Sequence, residues 1–594
     1  MGVPGFFLWL IKNYKNKKFV FNKNNLQIPN DKQLLDEINN LDWFLIDANC
    51  LIHPVCYKTI AENPDLTNNE KLENKMINNI LEYFEKIINY VNPKKGIYIA
   101  IDGVAPVAKI KQQRSRRFKS VADKIMWDNI KKKYNKPLTN QWNNNAITPG
   151  TEFMVKLHEH IIKWAKNLNR HIIYSSCFTP AEGEHKLLQF IRKNQRTDLD
   201  LSYIIYGLDA DLIFLALSTE SDKIFLLREA NEINKNESKE VLNYVSINIM
   251  RESIVNTIKK YLEDLTKISD TNNNKKLYGF NNLNDICVVN DFIFMCYFLG
   301  NDFLPHIPSL DIHNNGIETL IITYAKTMIE LLLDKNKITY LLFDKKKIVN
   351  KINLNFLIIF INKLAQNENQ ILQDHFYQEK KRLFYKGSSD LYEREVFNIE
   401  NLQFKILDPV RLGADDPIKW RERYYKYYWN IDTDELEDFS KKLVKQYLIG
   451  IKWVTMYYFD DCPSWDWYYP FDYPPFLTDI NNYLLDANLT KIKFKKSKPL
   501  KPFMQLLSVF PPQSSYLIPK SLRKIMTNSK SSLAYMYPLE FKQDFINKRR
   551  YWMGIPKLPP LDIDLIIYIF NKYENELSQE ERKRNNIIQP ITIN

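Results

Sequence analysis

The chain has 594 residues and carries 83 basic against 70 acidic side chains, a formal net charge of +13. That length predicts more than one domain, and the positive excess points to a polyanionic partner, nucleic acid foremost. Six cysteines with no CxxC pair and no histidines at zinc spacing exclude a disulfide scaffold and a structural zinc site; no apolar run is long enough to cross a bilayer, so a soluble, intracellular monomer without membrane contact is expected.

Near the N-terminus FFLWLIKNY predicts a short amphipathic helix, and WFLIDAN (43–49) an apolar strand ending on Asp47. A polar loop over 61–74 precedes KMINNILEYFEKIINYV, whose apolar residues recur at helical spacing, and GIYIAID follows as a strand ending on Asp102. Lys109, Gln113, Arg116 and Arg117 then fall at spacings of four, three and one, which sets all four on one helical face. Such a face suits a phosphate group, because Arg offers planar paired donors and Lys a compact charge; a solvated basic face is the alternative.

Pro and Gly within 135–151 break the helical pattern before EFMVKLHEHIIKWAKNL restarts it. HIIYSS reads as a strand, and the loop CFTPAEGEHK carries Glu182 and Glu184 ahead of a helix from about His185. SYIIYGLDADLI predicts a further strand ending in Asp209 and Asp211. Loops are expected at 231–240 and 269–282, and the second leads into the apolar helix NDFIFMCYFLGNDFLPHIP, broken at Gly300 with Asp302 just beyond. Further on come lysine-rich helical segments with the solvated run KRLFYK, a stretch dense in aromatic residues from Trp420 to Phe476, and a polar helix end and tail in ENELSQEERKRNN. The pattern predicts an α/β fold with a mostly parallel twisted sheet flanked by helices over residues 1–335, and a second, largely helical, aromatic-rich lobe over 336–594.

Asp47, Asp102, Glu182, Glu184, Asp209, Asp211 and Asp302 all lie at the ends of apolar elements or in the loops after them, where ligands gather in parallel sheets. The i, i+2 pairs Glu182/Glu184 and Asp209/Asp211, if extended, direct both side chains to one side. Carboxylates gathered in one cleft repel unless cations hold them ionised. Oxygen ligands without Cys or His select Mg²⁺ or Mn²⁺, and such a set suits two ions about 3.5–4 Å apart in phosphodiester cleavage. Solvated or capping carboxylates are the alternative for any one of them.

Several longer stretches carry a family resemblance: MGVPGFF, WFLIDANCLIH, AIDGVAPVAKIKQQRSRRF, ITPGTEFM, PAEGEHK, YGLDADLI, FLGNDFLPHIP, and in the second lobe YLIGIKWVTMYYFDDCPSWDWYYPFDYPPF and PFMQLLSVFPPQSSYLIP. On these the chain resembles the catalytic core of the Xrn family of 5′-to-3′ exoribonucleases. The resemblance implies a PIN-like nuclease core and a processive enzyme that hydrolyses 5′-monophosphorylated single-stranded RNA to nucleoside 5′-monophosphates. It implies the seven acids as metal ligands, and Lys109, Gln113, Arg116 and Arg117 as the pocket for the 5′-monophosphate. His53 matches a residue that stacks on the terminal base, opposite a tryptophan that is either Trp465 or Trp467; a core role for either ring remains open. Val107 replaces a residue that is often basic in the family, so one contact to the RNA backbone is expected to be absent. The C-terminal domains of the cytoplasmic branch are not expected. A decapping enzyme is the candidate partner, and cytoplasmic placement is expected with the nucleus left open. A flap endonuclease and a non-catalytic RNA-binding scaffold are the rival readings.

Overall fold

Short apolar runs bounded by polar loops become the strands β1 (Val20–Phe21), β2 (Trp43–Asp47), β3 (Gly96–Ala100), β4 (Ile172–Ser175), β5 (Tyr203–Tyr206), β6 (Ile224–Glu229), β7 (Leu242–Ser246), β8 (Gln543–Asp544), β9 (Ile555–Pro556) and β10 (Ile591–Ile593). The computed structural model describes residues 5–14, 19–23, 31–138, 142–229, 241–268, 280, 282–342, 352–378, 387, 389–404 and 406–594. The first four residues of MGVPGFF, the loop at 231–240, most of that at 269–282, and KRLFYK lie outside them.

Eight strands form one mixed, mostly parallel sheet in the order β1-β7-β6-β5-β2-β3-β4-β10, and β8 pairs with β9 apart from it. The pairs β3/β4 and β5/β6 are parallel, whereas β1/β7, β6/β7 and β4/β10 are antiparallel. Every residue of β3 and β5 is buried, as strands covered by helices on both faces require. This is the α/β architecture with a helical, aromatic-rich region that the pattern predicts.

The chain divides into two compact units, one built of Met1–Trp43, Leu188–Lys380 and Pro409–Ser497, the other of Phe44–Leu187, Lys381–Asp408 and Lys498–Asn594. Each draws chain from both sides of residue 335. Several elements differ from the sequence expectation. The helix Asn69–Val91 starts inside the expected loop because the Asn68 side chain caps it, accepting from Lys71 N at 2.9 Å. The C-terminal tail holds a helix, Gln579–Arg584, opened by a reciprocal Ser578/Glu581 capping box, and then β10, which closes the sheet edge against β4.

In the first unit a buried carboxylate ties three segments together. Glu368 accepts from Leu477 N at 2.8 Å, Thr478 N at 2.7 Å and Ser309 Oγ at 3.1 Å, and burial pushes its carboxyl up to about 7. Glu368→Ala strands these donors, so the urea midpoint should fall by an equivalent of about 2–4 kcal/mol; an unchanged midpoint would remove Glu368 from this role.

Candidate active site

In the second unit β2 and β3 end beside the start of the helix Gly183–Gln195. Asp102 is oriented by two elements. Its Oδ1 accepts from Gly183 N at 2.7 Å and its Oδ2 from Asn49 Nδ2 at 2.9 Å, while Asp102 N donates back to Asn49 Oδ1 at 3.1 Å. Asp47 is buried, with Cys50 Sγ at 3.2 Å from Oδ2. Both carboxylates converge on Gly183: a Cβ there would lie 2.6 Å from Asp47 Oδ1 and 3.4 Å from Asp102 Oδ1. Only glycine admits that approach. Gly183→Ala should therefore push the Asp47 carboxylate aside and cost at least about tenfold in nuclease rate with unfolding little changed; full activity would refute the convergence.

Glu182 and Glu184 are buried at the start of this helix, and Lys109 Nζ forms an ion pair with Glu182. The i, i+2 geometry expected of an extended pair is absent, because Gly183 is already helical. Lys186 Nζ, also buried, donates to Ile101 O at 2.6 Å and Ser176 O at 2.9 Å, and so pins the ends of β3 and β4 together. Burial pulls its ammonium down to about 7 against the opposing charges of Asp102, Cys177 and Asp47.

The helix Val107–Lys133 carries the basic residues, and they divide by direction. Val107 is fully buried at its start. Arg114 faces the C-terminal segment: Nη1 donates to Pro559 O at 2.7 Å and Nη2 to Met536 O at 2.5 Å. Arg116 is exposed, and Arg117 Nη1 donates to Asn145 Oδ1 at 3.1 Å with its guanidinium over Phe510. Burial first, then the Arg116 charge, push Arg117 down to about 9, with Asp102 opposing. Two adjacent cations in that state favour an anion between them. Gln113 is buried beside Gln505, whose Oε1 in turn accepts from Ala105 N at 3.0 Å. His53 is half-buried on the helix Asn49–Glu62, which the sequence reading did not anticipate.

In the first unit, Asp209 immediately precedes the helix Ala210–Leu217 without a capping bond from its side chain, and Asp211 lies in the first turn, so this pair too is not extended. Asp209 is exposed, whereas Asp211 is buried and accepts from Tyr458 Oη at 3.0 Å. Asp302 is buried after Gly300, whose φ of +86° turns the chain, and Asn301 Oδ1 fixes the turn by accepting from Phe303 N and Leu304 N. The two tryptophans differ. Trp467 stacks on Trp453 at 5.2 Å and lies edge-on to Phe494, which makes it part of an aromatic cluster. Trp465 is half-buried, is held through its backbone N–H by Ser497 Oγ at 2.8 Å, and has no ring packed on it among the described residues.

Among the described residues, no three His, Cys, Asp or Glu side chains converge as a ready metal cluster. The donor set is nevertheless all carboxylate oxygen, and two of its members, Asp47 and Asp102, converge beside Gly183. Both fit a hard divalent cation. Sequence reasoning missed Asn49, Gly183 and Lys186, although each sits inside or beside a quoted motif; Tyr458 had no signal beyond aromatic density.

Residues 1–230 match the family model for the XRN 5′-3′ exonuclease N-terminus, and residues 282–405 and 392–592 match that for the Xrn1 helical domain. The chain is 28% identical to 5′-3′ exoribonuclease 2 of Candida albicans over 98% of its own length and 74% of that protein. It is 31% identical to 5′-3′ exoribonuclease 1 of Homo sapiens over 98% of its length and 35% of the relative. With 5′-3′ exoribonuclease 2 of Saccharomyces cerevisiae it shares 26% identity over 100% of the chain and 77% of the relative. Two family models that together run through both units, with these relatives, identify the chain as a member of the Xrn family of 5′-3′ exonucleases.

Proposed function

We propose that this 5′-3′ exoribonuclease takes single-stranded RNA bearing a 5′-monophosphate and releases nucleoside 5′-monophosphates one at a time. The observation that carries the reading is the adjacency of Arg116 and Arg117 on a helix that starts just beyond Asp102, with Arg117 within reach of the Asp102 charge. Arg116, Arg117, Lys109 and Gln113 bind the terminal phosphate, and the pocket's single-phosphate charge balance disfavours caps and triphosphates. Asp47, Asp102, Glu182, Glu184, Asp209, Asp211 and Asp302 are the residues that would hold two Mg²⁺ or Mn²⁺ ions. When bound, such ions generate a water nucleophile at neutral pH and stabilise the leaving oxygen. Asn49, Gly183 and Tyr458 hold the carboxylates in place. Water attacks the phosphorus and expels the 3′-oxygen of the first nucleotide, so the phosphate stays on the shortened RNA. The product again begins with a 5′-monophosphate, which suits processive action, and a decapping reaction that leaves a monophosphate must supply the first substrate.

Trp465 stacks on a base, His53 stacks on the terminal base, and Trp467 supports the loop. Trp465→Ala should weaken RNA binding by about 1–3 kcal/mol with unfolding unchanged, whereas Trp467→Ala should chiefly destabilise the fold; the reverse pattern would exchange their roles. The reading as a whole is tested by a time course with 5′-phosphate, 5′-hydroxyl and capped RNA in Mg²⁺ or EDTA. Rapid loss of the 5′-phosphate RNA alone, in Mg²⁺ alone, is expected, and equal degradation of all three ends would overturn the pocket.

A further inference from the structure

The stretch Thr490–Lys501 reads TKIKFKKSKPLK and contains no acidic residue. Its part up to Ser497 belongs to the first unit and leaves the short turn Leu489–Lys491 through Ile492, whose backbone is extended, as chain outside any helix or sheet. Side chains of an extended chain alternate. Lys491, Lys493 and Lys495 are exposed, whereas Ile492 and Phe494 between them are half-buried, and Lys496 is exposed as well.

The non-lysine residues fix the segment. Lys452 Nζ donates to Leu489 O and Ile492 O, each at 2.8 Å, and Phe494 packs edge-on against Trp467. Ser497 Oγ accepts from Trp465 N at 2.8 Å and donates to Asp466 Oδ1 at 2.9 Å. The Asp466 carboxylate is engaged by the hydroxyls of Ser464 and Ser497. Among the described residues Lys493, Lys495 and Lys496 form no ion pair. The fold thus anchors a line of like charges that it does not use, beside a tryptophan with no ring packed on it.

Basic side chains that track a backbone, next to an aromatic platform, bind single-stranded nucleic acid without reading its sequence. Alternate residues of an extended chain recur about every 6.6 Å, so Lys493 and Lys495 present successive charges to successive phosphates, and the exposed Lys496 adds a third cation beside them. We propose that Lys493, Lys495 and Lys496 form a track for the sugar–phosphate backbone of the RNA substrate alongside Trp465. The inference rests on the reading of the chain as an exoribonuclease on single-stranded RNA and names a surface that the phosphate pocket does not include.

The test uses the full chain with the combined substitution Lys493→Gln, Lys495→Gln and Lys496→Gln. Binding of a 3′-fluorescein-labelled, 5′-phosphorylated oligouridylate is measured in EDTA over a series of salt concentrations. Each lost phosphate contact on a single strand lowers the slope of log affinity against log salt by about 0.7, so the slope should fall by about 2. The maximal cleavage rate in Mg²⁺ at saturating RNA should stay at the wild-type value. A charge-matched control with Lys86→Gln, Lys163→Gln and Lys166→Gln, all exposed elsewhere, should keep the wild-type slope. An unchanged slope in the first variant, as expected if the lysines serve an acidic protein instead, would overturn the track, and so would an equal fall in the control. If the wild-type chain fails to degrade 5′-phosphate RNA, the functional reading falls; if it degrades RNA and the slope is unmoved, only the track falls.

Discussion

Asp102→Ala should lower the cleavage rate by about 10³-fold or more while leaving the unfolding transition close to that of the unmodified chain. Removing a carboxylate that would hold a catalytic ion forfeits several kcal/mol of transition-state stabilisation, and each 1.36 kcal/mol is tenfold in rate. The fold loses little, because Asp102 is only half-buried and its partners, Gly183 N–H and the Asn49 amide, lie at the mouth of β3 rather than in the core. A graded companion sharpens the test. Asn49→Ala leaves every carboxylate present but frees Asp102 Oδ2, and loss of such a support costs about 10–100-fold in metal affinity or activity. Titration with Mn²⁺, read by electron paramagnetic resonance, should show weaker binding in both variants, and most in Asp102→Ala. Wild-type rates in Asp102→Ala would remove this carboxylate from the chemistry.

The second large effect is on end selection. In Arg116→Gln with Arg117→Gln, kcat/KM on 5′-phosphate RNA should fall about 10²–10³-fold and that on 5′-hydroxyl RNA should hardly move. Hydrogen bonds from charged groups are each worth about 1.5–3 kcal/mol, and a hydroxyl end offers no charge to lose. The fold should tolerate the change: Arg116 is exposed, and Arg117 is a cation that burial and the Arg116 charge already disfavour, so a neutral Gln replaces it at little cost. Replacing both with Lys should restore only part of the selectivity, because a point charge lacks the planar fork. Equal losses on both RNA ends would move these arginines from the phosphate to the chain backbone.

How far the sequence announces this site depends on how local each cause is. Asp47 and Asp102 are legible because an apolar run that stops on a carboxylate, in a strand buried on both faces, has few structural uses for the charge. Spacing alone puts Lys109, Gln113, Arg116 and Arg117 on one helical face and leaves open whether that face takes a phosphate or water. Spacing could not reveal that Arg114, two positions from Arg116, turns to carbonyls of Met536 and Pro559, more than 400 residues away in sequence. The i, i+2 reading of the acid pairs fails for a local reason: Gly183 and Ala210 each open a helix, so the second acid of each pair sits in a first helical turn. That placement brings the acid to the positive end of a helix dipole. Neither the interleaving of two units from three segments each nor the closing strand β10 leaves a mark in composition, because both depend on which distant segments pack together.

The proposed function requires cleavage from the 5′ end in single-nucleotide steps. It is tested most directly with single-stranded RNA carrying a ³²P-labelled 5′-phosphate, digested in Mg²⁺ and sampled before a tenth of the substrate is consumed. From the first time point all released label should run as nucleoside 5′-monophosphate, with no labelled fragments between it and the intact strand. Label appearing first in oligonucleotides would rule out stepwise release from the 5′ end.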